Sequence, residues 1–326
     1  MFLAGDIGGT KTNLAVYAYE HDQLINQGSA SYANKDHASI EEIIRDFLAG
    51  KYPEVKSACF GIAGPVKDGQ VHVTNLPWIV DASALRSRLN FKQVSLLNDL
   101  EANAYGIQTL RSDELIPINP DGNPRQIGNR ALISAGTGLG EAGLLWDGVA
   151  YRPFATEGGH ASFAPNDATG DELLCFLRRE HGHVSWERVL SGMGMKNLYR
   201  FFRHRSGQAE PAWLSEEIAA GDLAAVVSKA GLEGKDPVCV ESVDYFTRNY
   251  GAETANLALK MLALGGVYIG GGIAPKMLTK LKSEIFRDAF YNKGRMSPLL
   301  KSTPVYVILN DKTALQGAAW FAAHAD

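Results

Sequence analysis

One pattern occurs twice in this chain, and it constrains the fold more than any other feature. An apolar run ending at Gly5-Asp6-Ile7 meets Gly8-Gly9-Thr10, and Asn13 to Tyr17 returns as a second apolar run. Far along the chain, Ala131 to Ala135 meets Gly136-Thr137-Gly138-Leu139-Gly140, and Glu141 to Trp146 returns. Each unit reads as two strands joined by a glycine-rich turn, and two such units in separate halves imply a duplicated architecture. A length of 326 residues fits two lobes, because single cores stop growing at about 250–300 residues.

Between and after these units, strands alternate with helices. Ser39-Ile40-Glu41-Glu42 is a capping box, and Ile40, Ile43, Ile44, Phe47 and Leu48 follow at helical spacing until Gly50. Ser57 to Ala63 and Val94 to Leu97 read as buried strands, the second ending at Asn98-Asp99. Helices are expected over Asp171 to Arg179, from about Trp186, and over Val243 to Leu264. Gly265 to Ile269 then reads as a strand stopping at Gly270-Gly271-Gly272, Pro304 to Leu309 as another, and Thr313 to Ala319 as a helix of small, closely packing residues. This alternation predicts an α/β class with parallel strands.

Composition removes several function classes. Lys plus Arg is 32 against 36 Asp plus Glu, a net charge of −4, so no basic field favours nucleic acid or an anionic membrane. The longest uncharged stretch, Met261 to Pro275, is glycine-interrupted and too short to span a bilayer. Cys59, Cys175 and Cys239 are dispersed, which disfavours a disulfide framework or thiolate zinc site and suits a reducing cytoplasm. The opening residues reach Asp6 without a basic segment, and read as a strand rather than a signal peptide.

A glycine-threonine turn after a strand directs several backbone N–H groups to one place, as a phosphate site requires, and Asp6 beside it could hold a hydrated magnesium ion. The same residues suit a plain hairpin. Neither turn is a P-loop, because no Gly-Lys-Ser/Thr occurs. Asp99, at a strand-to-helix junction, reads on its own as a helix N-cap. Glu157-Gly158-Gly159-His160 places an acid and an imidazole on one turn, where both could bond vicinal hydroxyls, although a surface turn explains it equally.

In order along nearly the whole chain, these elements resemble the bacterial glucokinases of the hexokinase, actin and Hsp70 superfamily. Asp6 to Thr12 is similar to that family's first phosphate loop, Leu97-Asn98-Asp99 to its first connecting segment, and Gly136 to Gly140 to its second phosphate loop. Gly270 to Ala274 is similar to its adenosine loop, and Ala314 to Ala319 to its second connecting helix. The resemblance implies duplicated actin-like ATPase (ribonuclease H-like) domains around a central cleft. It implies a small domain over 1–110, completed by about 311–326, and a large one over 111–310.

It further implies ATP-dependent phosphorylation of D-glucose to glucose 6-phosphate, the first step of glycolysis, in the cytoplasm and as a homodimer. Asp99 would be the general base. Asn75, Asn98, Asp99, Glu157, His160 and Glu187 would bind sugar, although Glu187 could instead pair with a neighbouring Arg. Gly5, Asp6, Ile7, Gly8, Gly9, Thr10, Gly136, Thr137, Gly138, Gly271 and Gly272 would bind ATP, with magnesium held by Asp6 through water. A helix N-terminus would weaken Asp99 as a base unless burial or a nearby acid offset it. A related repressor and kinase family carries a cysteine-rich zinc site after its Glu-x-Gly-His histidine. Here Ala161 to Pro165 follows His160, so the resemblance is to the zinc-free group. A kinase for mannose or an amino sugar, a non-catalytic sugar sensor, and an actin-like filament or chaperone ATPase are the competing readings. A repressor would need a DNA-binding segment ahead of the first strand, and the filament and chaperone readings leave Asn98, Asp99, Glu157 and His160 unexplained.

Overall fold

In the computed structural model, which describes residues 1–21, 23–73 and 76–325, both Gly-Thr units form hairpins. β1 (Phe2–Ile7) pairs antiparallel with β2 (Lys11–Glu20), Asp6 facing Asn13 and Ile7 facing Thr12. Then come β3 (Gln23–Ala33), α1 (Ile40–Leu48), β4 (Ser57–Ile62), β5 (Gln70–His72), β6 (Ile79–Asp81), α2 (Ala82–Arg88), β7 (Gln93–Asn98) and α3 (Asp99–Gly106). The second series begins with β8 (Leu115–Pro117), β9 (Arg130–Ala135), β10 (Leu139–Trp146) and β11 (Tyr151–Thr156). It continues through α4 (Ala168–His181), α5 (Gly192–Ser206), α6 (Ala212–Ala220), α7 (Leu223–Leu232), α8 (Pro237–Met261), β12 (Val267–Gly270), α9 (Leu278–Leu281), α10 (Glu284–Tyr291), α11 (Ser297–Ser302) and β13 (Val305–Ile308). α12 (Thr313–His324) closes the chain.

The duplication is visible in strand order. One sheet runs β3-β2-β1-β4-β7 and the other β11-β10-β9-β12-β13-β8, so the first five positions correspond one to one. In both, the first hairpin strand also pairs in parallel with the strand on its other side, β1 with β4 and β9 with β12. Two compact units contain these sheets: Met1–Glu114 with Pro153–Ala155 and Asn310–Asp326, and Leu115–Arg152 with Thr156–Leu309.

Strand alternation sorts the first unit's core into two faces. Leu3, Ile7, Leu14, Val16, Phe60 and Ile62 pack with Ile40, Ile43, Ile44 and Phe47 of α1. Burying each such side chain contributes about 1.5–3 kcal/mol, which holds α1 on the sheet. The α1 start differs slightly from a standard capping box: Ser39 Oγ accepts from the Glu42 N–H, but Glu42 Oε2 accepts from the Ala38 N–H rather than that of Ser39. On the other face Ala4, Ala15, Tyr17 and Cys59 meet Ala102 of α3 and Leu315, Ala318 and Ala319 of α12. The small residues allow close packing, and at Gly317 a Cβ would lie only 1.8 Å from the Ala102 carbonyl oxygen.

Several helix boundaries depart from the sequence reading; α4 starts at Ala168 rather than Asp171, because Asp167 Oδ1 accepts the Gly170 N–H at 2.7 Å. α8 starts at Pro237, not near Val243, because Asp236 accepts the Cys239 N–H at 2.8 Å and Pro237 fills the first turn, where no donor is needed. It ends at Met261, short of Leu264, because Leu262 takes a left-handed conformation with φ 47°. Trp186 begins only a short 3₁₀ turn, Trp186–Arg188; the helix proper, α5, starts at Gly192, where Ser191 Oγ accepts the Gly194 N–H. Among the described residues, no helix is long and apolar enough to cross a membrane.

Candidate active site

The first Gly-Thr turn is held from below by a buried side chain. The Gly8 N–H donates to the Lys11 carbonyl at 3.0 Å, and Asn34 donates through Nδ2 to the Gly8 carbonyl at 2.8 Å and through its backbone to that of Thr10 at 3.0 Å. Thr12 Oγ1 in turn donates to Asn34 Oδ1 at 2.7 Å, and both residues are buried. Asn34 was not legible as part of the site: a lone Asn after a polar stretch gives no local signal. Gly8 and Gly9 are half-buried and Thr10 is exposed, whereas Gly5 lies inside the sheet and Ile7 turns its side chain into the core.

Asp6 sits one residue from the end of β1 and accepts a hydrogen bond from Asn13 Nδ2 at 3.1 Å. Burial pushes its carboxyl above the ordinary aspartate value, and the Asn13 bond and the Lys11 charge pull it partly back. Ile7, Ile62 and Asn98 are in register across the parallel strands β1, β4 and β7. Two strand spacings of about 4.8 Å put Asn98 about 10 Å from Ile7 on one sheet edge.

The helix cap at that edge is Asn98, not Asp99. Asn98 keeps extended backbone (φ −62°, ψ 149°) and its Oδ1 accepts the Leu100 N–H at 3.0 Å, while Asp99 is the first helical residue. Asp99 Oδ1 shares the same N–H at 2.9 Å. Glu101 reaches back to the Asn98 backbone N–H, the reciprocal half of a capping box, while the Asn98 side chain serves Leu100 rather than Glu101. Asn75 lies outside the described residues.

In the second unit the Gly136 N–H closes onto the Gly138 carbonyl at 2.8 Å, and the Gly192 N–H, opening α5, donates to the Gly136 carbonyl at 2.8 Å. The start of a 15-residue helix therefore adjoins the second Gly-Thr turn, adding the positive end of its dipole to the turn's N–H groups. From the far side the Ile273 N–H donates to the Ala135 carbonyl at 3.3 Å, bringing exposed Gly271 and Gly272 beside the same turn. The buried Tyr250 hydroxyl accepts the Ala135 N–H from beneath.

These pieces line one cavity of about 780 Å³ within this unit. Gly136, Thr137, Gly192 and Gly272 form one part of its wall, and Met193, Ile273, Met277 and Leu232 supply apolar surface elsewhere. Volume and composition suit a medium-sized ligand with an anionic end and a flat apolar end. α7 contributes a further wall through Ala224, Ala225, Ser228 and Leu232, which no motif in the sequence marks.

Glu157 and His160 flank the short turn Gly158–His160, with side chains 70% and 61% exposed and 3.9 Å apart at His160 Nε2 and Glu157 Oε2. Gly158 and Gly159 are needed because the turn rests on β10 with no room for a side chain. A Cβ would lie 2.0 Å from Glu141 Oε2 at Gly158 and 2.0 Å from the Leu139 carbonyl at Gly159. Downstream, the Trp186 N–H donates to the Ala161 carbonyl, tying this turn to the one bearing Glu187. Glu187 does not pair with the adjacent arginine; its Oε2 accepts the Leu139 N–H at 3.0 Å, while Arg188 reaches Met193. Glu187 is thus fixed at the second Gly-Thr turn. Among the described residues, no group of three or more His, Cys, Asp or Glu is placed to hold a metal ion.

The family model described as Glucokinase matches residues 3–325. A glucokinase of Synechocystis sp. is 40% identical over 99% of this chain and 98% of its own length. Among solved structures, a glucokinase from an Antarctic psychrotroph superposes with a TM-score of 0.87 at 32% identity, covering 99% of both chains. A ROK family glucokinase from Streptomyces griseus, solved with glucose and AMPPNP, shares the fold at a TM-score of 0.63 and 21% identity, again over 99% of both chains. The shared architecture is the duplicated α/β fold of the actin-like ATPases.

Proposed function

This chain belongs to the glucokinase family, and from that premise we propose that it transfers the terminal phosphoryl group of ATP to the 6-hydroxyl of D-glucose. The observation that carries the reading is the second unit's cavity, where Thr137, the start of α5 and Gly272 meet at an anion-favouring wall beside apolar surface. ATP has that chemistry: the polyphosphate suits the N–H-rich turns, including Gly136, Thr137 and Gly138, and the adenosine suits the apolar wall near Gly271 and Gly272.

Asp99 takes the proton of the sugar's 6-hydroxyl as the oxygen attacks phosphorus. Asn98 and Asp99 are proposed as sugar ligands, and so, from the resemblance, are Glu157, His160 and Glu187. Exposure of Glu157 and His160 supports this role, since they are presented rather than packed away. Asn75 is proposed for the same site on resemblance alone.

Gly5 to Thr10 supply the first phosphate loop. Ile7 and Gly5 act through the backbone, as their burial requires. Asp6 fits a hydrated magnesium ion, because one largely desolvated carboxylate is stabilised by a nearby cation that keeps most of its waters. Such an ion would neutralise charge on the transferring group. The three free cysteines accord with a reducing cytoplasm, and the chain is proposed to act there as a homodimer. Phosphorus NMR of the purified protein with ATP, magnesium and glucose tests the reaction: glucose 6-phosphate is the expected product, and its absence would refute the assignment.

A further inference from the structure

Beneath the Glu157–His160 turn lies a buried carboxyl pair with no part in the phosphoryl transfer just described. Glu141 on β10 is 1% exposed and Glu253 on α8 is fully buried. They are close enough that the charge on one opposes ionisation of the other. Their surroundings are unequal. Lys260 Nζ donates to Glu253 Oε1 at 3.0 Å and Asn256 Nδ2 to Glu253 Oε2 at 2.7 Å, and Lys293 Nζ donates to Asn256 Oδ1 at 2.6 Å. Glu253 thus has the partners an ionised carboxylate needs. Glu141 Oε1 is buried without a hydrogen-bond partner among the described residues.

The proton of the pair accordingly resides on Glu141. Burial, then the Glu253 charge, push the Glu141 carboxyl up to about 8, with Lys260 acting in the opposite sense. Tyr250 of α8 also faces it, and Lys293 faces Glu253 from the segment after α10.

Glu141 is also what the turn stands on. Thr156 Oγ1 donates to the Glu141 carbonyl at 2.9 Å and accepts the Gly158 N–H at 3.2 Å. Gly158 itself lies directly against Glu141 Oε2. No side chain intervenes to damp a change of charge there.

We propose that Glu141, holding the one proton it shares with Glu253, is a positioning residue whose neutral carboxyl seats Gly158, so that ionising it displaces Glu157 and His160 and weakens glucose binding. The inference rests on the sugar-site reading above.

Titration calorimetry on the full chain, with glucose and separately with ADP from pH 6.5 to 9.5, tests it. Wild type is expected to lose glucose affinity by about tenfold as pH rises through 8, the size of effect a disrupted buried polar contact produces. Glu141→Ala is expected to lose about tenfold at pH 7 with ADP affinity within about twofold. Glu141→Gln, isosteric with the neutral acid, is expected to recover what the alanine variant loses and to flatten the pH profile. A glutamine variant that titrates like wild type, or one as weak as the alanine variant at pH 7, overturns the proposal. The wild-type and glutamine profiles decide the matter even if the alanine variant does not fold. Wild type that binds glucose with no pH dependence refutes this inference alone, whereas wild type that binds no glucose refutes the sugar-site reading and this inference with it.

Discussion

Gly158→Ala measures how tightly the turn proposed to contact the sugar is seated. An added Cβ would lie 2.0 Å from Glu141 Oε2, whereas carbon and oxygen in contact stay about 3.3 Å apart, so the turn or the carboxyl must move by about 1.3 Å. The carboxyl has little room to yield, because Glu141 is buried and neighbours Glu253. Misplacing a positioning group by about 1 Å costs up to about 100-fold in kcat/KM. The cavity proposed for the nucleotide is lined by other segments, so the loss should fall on glucose and spare the KM for ATP. Steady-state kinetics varying each substrate separately read this out. The double variant with Glu141→Ala removes the clashing oxygen, so its loss should be smaller than the product of the two single losses. A Gly158→Ala protein with glucose kcat/KM within twofold of wild type, or a double variant whose losses simply multiply, would contradict a turn seated on Glu141.

Asp99→Asn should retain glucose binding but lose about 10² to 10⁴ in kcat, because an amide hydrogen-bonds yet cannot take the proton; calorimetry alongside turnover separates the two effects. Gly317→Val should destabilise the first unit, since its Cβ would sit 1.8 Å from the Ala102 carbonyl, by about 1–3 kcal/mol or more in chemical denaturation. Glu141 should make stability fall as pH rises. Its folded carboxyl keeps a proton up to about 8 while the unfolded one releases it near 4.5, so folding gains a proton between those values and is progressively disfavoured across them. Denaturation midpoints of wild type and Glu141→Gln from pH 5 to 9 should therefore diverge, and parallel curves would contradict the raised value. Chelation should abolish turnover and magnesium should restore it, as atomic absorption with activity measurements will show.

The hairpins were legible because each joins two apolar runs across glycines that disrupt any helix, and α1 because its apolar spacing starts at a good cap. β3 was not legible: half-buried and exposed residues alternate from Gly28 to Ala33, but Gly28, Ser29, Ala30 and Ser31 are too small and polar to spell an apolar pattern. The start of α8 was written in Asp236-Pro237, but the apolar pattern draws the eye further along, to Val243. Asp99 stands out in the sequence by its place after a strand, but the cap is one residue earlier, because Asn and Asp are equally good caps and only backbone geometry separates them. The Glu141–Glu253 pair has no local signal, since one acid in an apolar strand becomes informative only when the fold sets another against it. The same holds for Asn34, whose meaning comes from the turn it supports.

Phosphorylation of glucose in preference to other hexoses is the sharpest consequence of the proposed activity. Each hydroxyl partner that a poorly fitting sugar leaves unsatisfied at the proposed sugar residues costs about 1–3 kcal/mol. The direct test is kcat/KM for glucose, mannose, fructose and N-acetylglucosamine, measured by ADP release with magnesium and saturating ATP. The highest value is expected for glucose, by about tenfold or more. A higher value for any of the other three, or ADP release that is independent of sugar, would contradict it.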